Sequence, residues 1–263
     1  YMRKILFSLL ALGSSASFAT DYSQFQAFDN QISIGYGMKQ DEATSPNLGV
    51  NGNQISDGSM VNLEGERLLN NGIWIDLNAN MNFNQGEANV ANNPVISNYG
   101  FNGKVGYAFQ VADAHLLLVP YGIAGLNNSG LGVINIVALD NDHTNFLEDA
   151  SSVLANRYFV TTGAGGRIEY RINDYILVYG DQNMAYNWDQ TKYNNGFQAQ
   201  NTYSYTSTIG AKFNIVKDLQ LGVRGFYTNY QPDASATSNS GGPFKLSQAQ
   251  SSVGALVSVG LTY

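Results

Sequence analysis

The chain of 263 residues contains no cysteine. A disulfide framework is therefore excluded, and so are zinc or iron–sulfur sites built on thiolates. Charge is scarce too: Asp, Glu, Lys and Arg make up 13% of the residues, about half the share usual in a soluble domain. Histidine occurs only as His115 and His143. Beyond the first twenty residues no stretch reaches the roughly eighteen consecutive apolar residues of a membrane-spanning helix, which rules out a helical membrane protein. What is plentiful is Gly (28) and Tyr (17), set in a pattern of strict alternation.

Residues 70–84, NNGIWIDLNANMNFN, show that pattern most clearly. Ile73, Ile75, Leu77, Ala79, Met81 and Phe83 share one parity, and Trp74, Asp76, Asn78, Asn80 and Asn82 share the other. Period two is the signature of a β-strand with one apolar and one polar face. The strand is long for a soluble domain. The same alternation recurs and predicts ten strands, over 28–39, 60–70, 72–83, 98–111, 115–126, 157–172, 175–188, 201–216, 218–230 and 249–263. Outward sets include Ile32, Ile34, Tyr36 and Met38 in the first strand and Val253, Ala255, Val257, Val259, Leu261 and Tyr263 in the last. The seventh is the least regular, because Gln182 interrupts the apolar set Ile176, Val178, Met184, Tyr186, Trp188. A bulge is expected there.

The connections alternate in length. Asn70-Asn71-Gly72, Ala112-Asp113-Ala114, Asn173-Asp174 and Val216-Lys217-Asp218 read as tight turns. The other links, 40–59, 84–97, 127–156, 189–200 and 231–248, are long and polar. Short turns at one end and long loops at the other describe an all-β, up-and-down antiparallel transmembrane barrel of about ten strands, with periplasmic turns and extracellular loops. Tyr99 and Phe101 against Tyr107 and Phe109, and Tyr158 against Tyr170, are spaced as two aromatic belts. Ile73 to Phe83 would then face lipid, and the Asn row a wet or hydrogen-bonded lumen. At the other extreme of the chain, Arg3 and Lys4 precede the apolar run Ile5 to Leu12 and the small-residue stretch Ser17-Phe18-Ala19. Residues 1–19 read as a cleaved secretory signal, leaving 20–263 as a single barrel domain.

The terminal run VSVGLTY, in which Val257, Val259, Leu261 and Tyr263 share a face, resembles the C-terminal signal read by the outer-membrane barrel assembly machinery of Gram-negative bacteria. With the strand pattern, the whole chain resembles small OmpA-like or opacity-type outer-membrane proteins. A count of ten strands is nearer to omptin proteases and Opc-type adhesins. The resemblance implies bacterial outer-membrane localisation, surrounding lipid, and the assembly machinery as a partner during biogenesis.

No enzymatic activity is expected. An omptin-like arrangement needs carboxylates and a histidine spread over strands at the barrel rim, whereas Asp140, Asp142 and His143 fall within one loop. No nucleophile elbow is present, and no cofactor is called for. Asp140, Asp142 and Glu148 form a candidate cation or partner site, although they lack the spacing and Gly of an EF-hand loop. The formal net charge of −7 becomes −9 without Arg3 and Lys4, and the five long loops hold −3, −1, −4, 0 and 0 of it. An acidic rim disfavours nucleic acid and other anionic partners and suits a host or envelope protein. The apolar 133–139 and an amphipathic 144–155 are expected to fold over the barrel mouth.

The inward charges are the last feature. Glu64, Glu66, Asp76, Lys104, Arg167, Asp181, Lys212 and Arg224 all fall four to eight residues above the periplasmic turns, four acidic and four basic. They are expected to form one belt that pairs across a narrow lumen and largely closes it, with Glu169 and Arg171 cancelling below. This reading favours a structural or adhesin-like surface role. The alternative is a narrow porin-like channel for small solutes.

Overall fold

The structure, a computed structural model, describes residues 21–44, 54–86, 95–111, 115–129, 157–190, 201–232 and 249–263. Segment 1–19, the central parts of the five long loops, and Asp140, Asp142, His143 and Glu148 lie outside the described residues. A short helix α1 (Ser23–Asp29) precedes the strands β1 (Gln31–Thr44), β2 (Gln54–Leu68), β3 (Ile73–Gly86), β4 (Val95–Tyr107), β5 (Phe109–Val111) and β6 (Leu116–Ser129). After them come β7 (Arg157–Arg171), β8 (Ile176–Asp189), β9 (Thr202–Val216), β10 (Leu219–Pro232) and β11 (Ala249–Thr262). Apart from β4 and β5, which do not pair with each other but both pair with β6, each strand pairs antiparallel with its sequence neighbours, and β1 pairs with β11, which closes the sheet. Because β4 and β5 are two pieces of one stave, the barrel has ten staves.

The faces follow the alternation. Ile32, Ile34, Tyr36 and Met38 of β1, Leu77, Met81 and Phe83 of β3, and Val253, Val257, Val259, Leu261 and Tyr263 at the C-terminus are all exposed on the outer wall. Trp74 and Asp76, on the opposite parity, are buried inside. Exposed Tyr107, Tyr170, Tyr175 and Tyr263 ring the end with the tight turns, and Tyr99, Tyr158, Trp188 and Tyr205 ring the other.

Four expectations need correction. The first strand does not begin at 28, because Ser23–Asp29 is helical and β1 starts at Gln31. The fourth strand is broken at Ala108, whose N–H donates to the Gly72 carbonyl at 2.8 Å and whose carbonyl accepts the Tyr22 hydroxyl at 2.8 Å. The seventh is regular: β8 pairs in continuous register with both neighbours, and Gln182 simply points outward. The register shift occurs instead between Leu219 and Gln220, where β10 meets β9. Finally, the strands reach further from the turns than the alternation does. In β1, Lys39-Gln40-Asp41-Glu42 still pairs with β2, and Gln40 Nε2 donates to Asp57 Oδ1 at 2.8 Å. Lipid enforces alternation only across the hydrocarbon, and backbone pairing continues beyond it with polar residues on both faces.

The β2–β3 turn needs its glycine. Gly72 has φ +83°, a region where a side chain strains the backbone. A Cβ there would also lie 2.9 Å from the Tyr22 hydroxyl, so the turn is shaped to receive the segment before α1.

Candidate functional site

The lumen begins, at the turn end, with α1. Asp21 starts the helix by accepting the Ser23 N–H at 3.0 Å, and hydrogen bonds from the Ser23 hydroxyl and N–H hold the exposed Asp21 carboxyl below its ordinary value. Tyr22, Phe25 and Phe28 recur at three-residue spacing and so share one face. They pack with Leu68, Trp74, Leu117, Val119, Tyr121 and Leu177, which the strands point inward, to form a small hydrophobic core inside the barrel. Burying Phe25 and Phe28 fully is worth about 1.5–3 kcal/mol for each.

Seven residues are too few for a stable isolated helix, and the last carbonyls need partners. The barrel provides them. Lys212 Nζ and Gln220 Nε2 donate to the Phe28 carbonyl at 3.3 and 3.2 Å, and Asn214 Nδ2 donates to that of Ala27 at 3.2 Å. Gln26 Nε2 donates to the Leu68 carbonyl at 3.0 Å, and Asn30 Oδ1 accepts the Leu68 N–H at 2.9 Å. A cation at the C-terminal end also suits the helix dipole.

Above α1 the eight belt residues face inward and all enter ion pairs, which fall into a lower tier that reaches α1 and an upper tier. In the lower tier Glu66 meets Lys212 at 2.6 Å and Arg167 at 3.2 Å, Arg167 meets Glu169 at 2.5 Å, and Lys212 meets Asp29 of α1 at 2.7 Å. Arg167 lies 4.1 Å from the Tyr179 ring centroid and 5.4 Å from that of Trp74, whose Nε1 donates to Glu66 at 2.9 Å. In the upper tier Lys104 bridges Asp76 (3.3 Å) and Asp181 (3.1 Å), Tyr121 donates to Asp181 at 2.5 Å, and Arg224 meets Glu64 at 2.6 Å and Asn62 at 2.7 Å. Glu169 and Arg171 do not pair with each other: Glu169 goes to Arg167, and Arg171, beside the turn, reaches Asp174 at 2.6 Å.

Asp29, Glu66 and Glu169 bring carboxylate oxygens within 4.8 Å of one another, close enough to hold a metal ion. Lys212 and Arg167 already supply two positive charges to these three carboxylates. Burial and the charge of Glu169 push the Asp29 carboxyl, which sits on α1 outside the spanning strands, well above its ordinary range.

Beyond the upper tier the lumen opens into a vestibule of about 300 Å³ on the long-loop side. Amides and hydroxyls line it. Asn102 and Asn127 exchange hydrogen bonds at 3.2 and 3.1 Å, Thr161 donates to Asn187 at 2.7 Å, and the Thr206 and Thr228 hydroxyls are 3.1 Å apart.

A closed β-sheet can cross lipid because every backbone group is paired, and this one carries an apolar outer wall between two aromatic rings. The chain is a bacterial outer-membrane β-barrel. Its tight turns and both described ends are therefore periplasmic, and the vestibule lies on the extracellular side. No protein-family model and no curated protein matches the sequence. Among solved structures, the chain is similar to the β domain of the Bordetella autotransporter BrkA, with 10% identity over 90% of this chain and 100% of that one at a TM-score of 0.44. An outer-membrane channel from Pseudomonas putida F1 matches with 13% identity, over 88% and 95% of the two chains, at 0.43. Ail, the attachment invasion locus protein of Yersinia pestis, matches with 11% identity, over 89% and 98%, at 0.28. Such distant likenesses say nothing about what this barrel does.

Sequence reasoning missed α1 and the inward apolar residues around it. A signal was present. At the turn ends both parities are apolar, as in Leu116-Leu117-Leu118-Val119 and Ile176-Leu177-Val178, the mark of a strand buried on both faces. Of the proposed assembly residues, Val257, Val259, Leu261 and Tyr263 stand exposed along the closing strand, and the Arg67 guanidinium lies 6.0 Å from the Tyr263 ring.

Proposed function

We propose that this barrel does not conduct and is not an enzyme, and that it acts through its extracellular side as a structural or binding protein of the cell surface. The observation that carries the reading is α1: its apolar face and the lower ionic tier fill the periplasmic half of the lumen. The porin-like alternative requires α1 to leave. Refolded protein (20–263) in a planar bilayer is expected to give no large steady conductance, and a chain lacking residues 20–30 is expected to conduct. Large, stable channels from the intact chain would overturn the proposal.

An omptin-like mechanism finds no support among the described residues, where the one histidine, His115, sits at the periplasmic end with Nδ1 3.0 Å from the Arg171 carbonyl. The acidic extracellular rim favours a host or envelope protein with a basic patch as partner. Val257, Val259, Leu261 and Tyr263 serve the assembly machinery in this reading. Tyr263→Asp should then lower the heat-modifiable fraction in the outer membrane, and unimpaired insertion would refute that role.

A further inference from the structure

We infer that the vestibule is a binding site for an uncharged, polyhydroxylated ligand, a saccharide of one or two rings. The inference rests on the closed-barrel reading, which makes the vestibule a dead-end cup rather than a passage. Its volume of about 300 Å³ lies at the lower end of the range for small-molecule sites.

The walls are unequal. On the β4–β10 side most amides and hydroxyls hydrogen-bond to one another across strands, and Asn128, with neither Nδ2 nor Oδ1 partnered, is the exception. On β3, Asn78, Asn80 and Asn82 form a row at two-residue spacing, joined only by a long Asn80-to-Asn78 contact of 3.5 Å. Asn82 is only 8% exposed, and its Oδ1 has no hydrogen-bond partner. A buried amide oxygen without a partner is costly unless something fills the role. The row thus presents unspent donors and acceptors to the cavity.

Charge and shape select the class of ligand. At the cavity floor Lys104 and Arg224 pair with Asp76, Asp181 and Glu64, which leaves one negative charge in excess, and Lys39 near the rim pairs with Asp41 at 2.9 Å. Every cation described in the lining is thus paired, and none is left to attract an anionic ligand. An amide offers an acceptor and two donors side by side, which suits neighbouring hydroxyls that each donate and accept. Phe159, Phe226 and Tyr230 add ring surface for the C–H faces that a sugar carries between its hydroxyls.

The test is calorimetric titration of the refolded chain (20–263) in a zwitterionic detergent without a sugar headgroup, using lactose, its anionic counterpart sialyllactose, and an uncharged tetrapeptide. Saturable lactose binding is expected, with the other two at least tenfold weaker. Asn80→Leu with Asn82→Leu should weaken it about tenfold or more while heat-modifiable migration stays normal, and Phe226→Ala should weaken it independently. Lactose binding absent, equalled by either comparison probe, or unchanged in the Asn variants would overturn the inference. Because titration in micelles does not depend on conduction, a conducting barrel that binds lactose would refute only the closed reading, and a closed one that ignores lactose only this inference.

Discussion

The periplasmic and extracellular halves of the lumen are made by the same ten alternating staves, yet they are filled by opposite means. Below, large side chains interlock: Trp74, Leu117, Leu177 and the two Phe rings of α1 close around ion pairs that are almost wholly buried. Above, Asn, Thr and Ser make short hydrogen bonds along the wall and leave the axis open. A charge removed from the lower half leaves its partner stranded in a dry place. A polar group removed from the upper half leaves neighbours that water can reach. The two halves should therefore respond very differently to substitution.

The sharpest break is expected from Arg167→Ala. It strands Glu169, leaves Glu66 with Lys212 as its one cation and unstacks Tyr179, and the loss should be about 3–5 kcal/mol, as for other buried pairs that lose one partner. Urea unfolding in lipid vesicles, followed by the fluorescence of Trp74 and Trp188, would measure it. A loss under about 1 kcal/mol would mean that water already solvates this tier.

Phe28→Ala comes next. It empties the centre of the lower core and should cost about 3 kcal/mol by the same assay, with protease sensitivity appearing first near residues 20–30. An unaltered cleavage pattern would show that the ionic contacts alone seat α1.

Protonation gives a smaller handle on the same seat. Asp29 has a raised pKa when docked, through burial and the nearby Glu169, whereas the undocked helix would titrate near the usual value of about 3.9. Docking is thus favoured most below that ordinary value and weakens as pH rises through the raised one. Asp29→Asn keeps an oxygen for Lys212 and should change stability by no more than about 1 kcal/mol while flattening this pH dependence. A variant that still loosens with rising pH would show that Asp29 is not the group responsible. The smallest change is expected in the vestibule, where Asn80→Ala should stay within about 0.5 kcal/mol. A larger loss would show that the upper wall is as tightly coupled as the lower.

Much of this was legible in advance. The inward direction of Glu64, Glu66, Asp76, Lys104, Arg167, Asp181, Lys212 and Arg224 could be read from parity alone, because a strand shows its faces locally. Who meets whom could not. Glu169 and Arg171, whose charges were expected to cancel, go to separate partners, Arg167 and Asp174, since the stagger of neighbouring strands and the presence of α1 decide which heads converge. Helix α1 itself was hidden because seven residues carry too little periodicity to be told from the start of a strand.

By itself, then, the sequence determined the staves, their two faces, the ends that carry turns and the ends that carry loops. Those are consequences of a two-residue period imposed by lipid outside and polar groups inside. Only the tertiary structure decided that Lys212 should join Asp29 and Glu66, residues 183 and 146 positions away. Only it placed the break at Ala108 beneath Tyr22 and left Asn82 unpaired above. Those outcomes depend on closure, which sets every strand's height against its neighbours and brings distant side chains into one narrow space that no local pattern encodes.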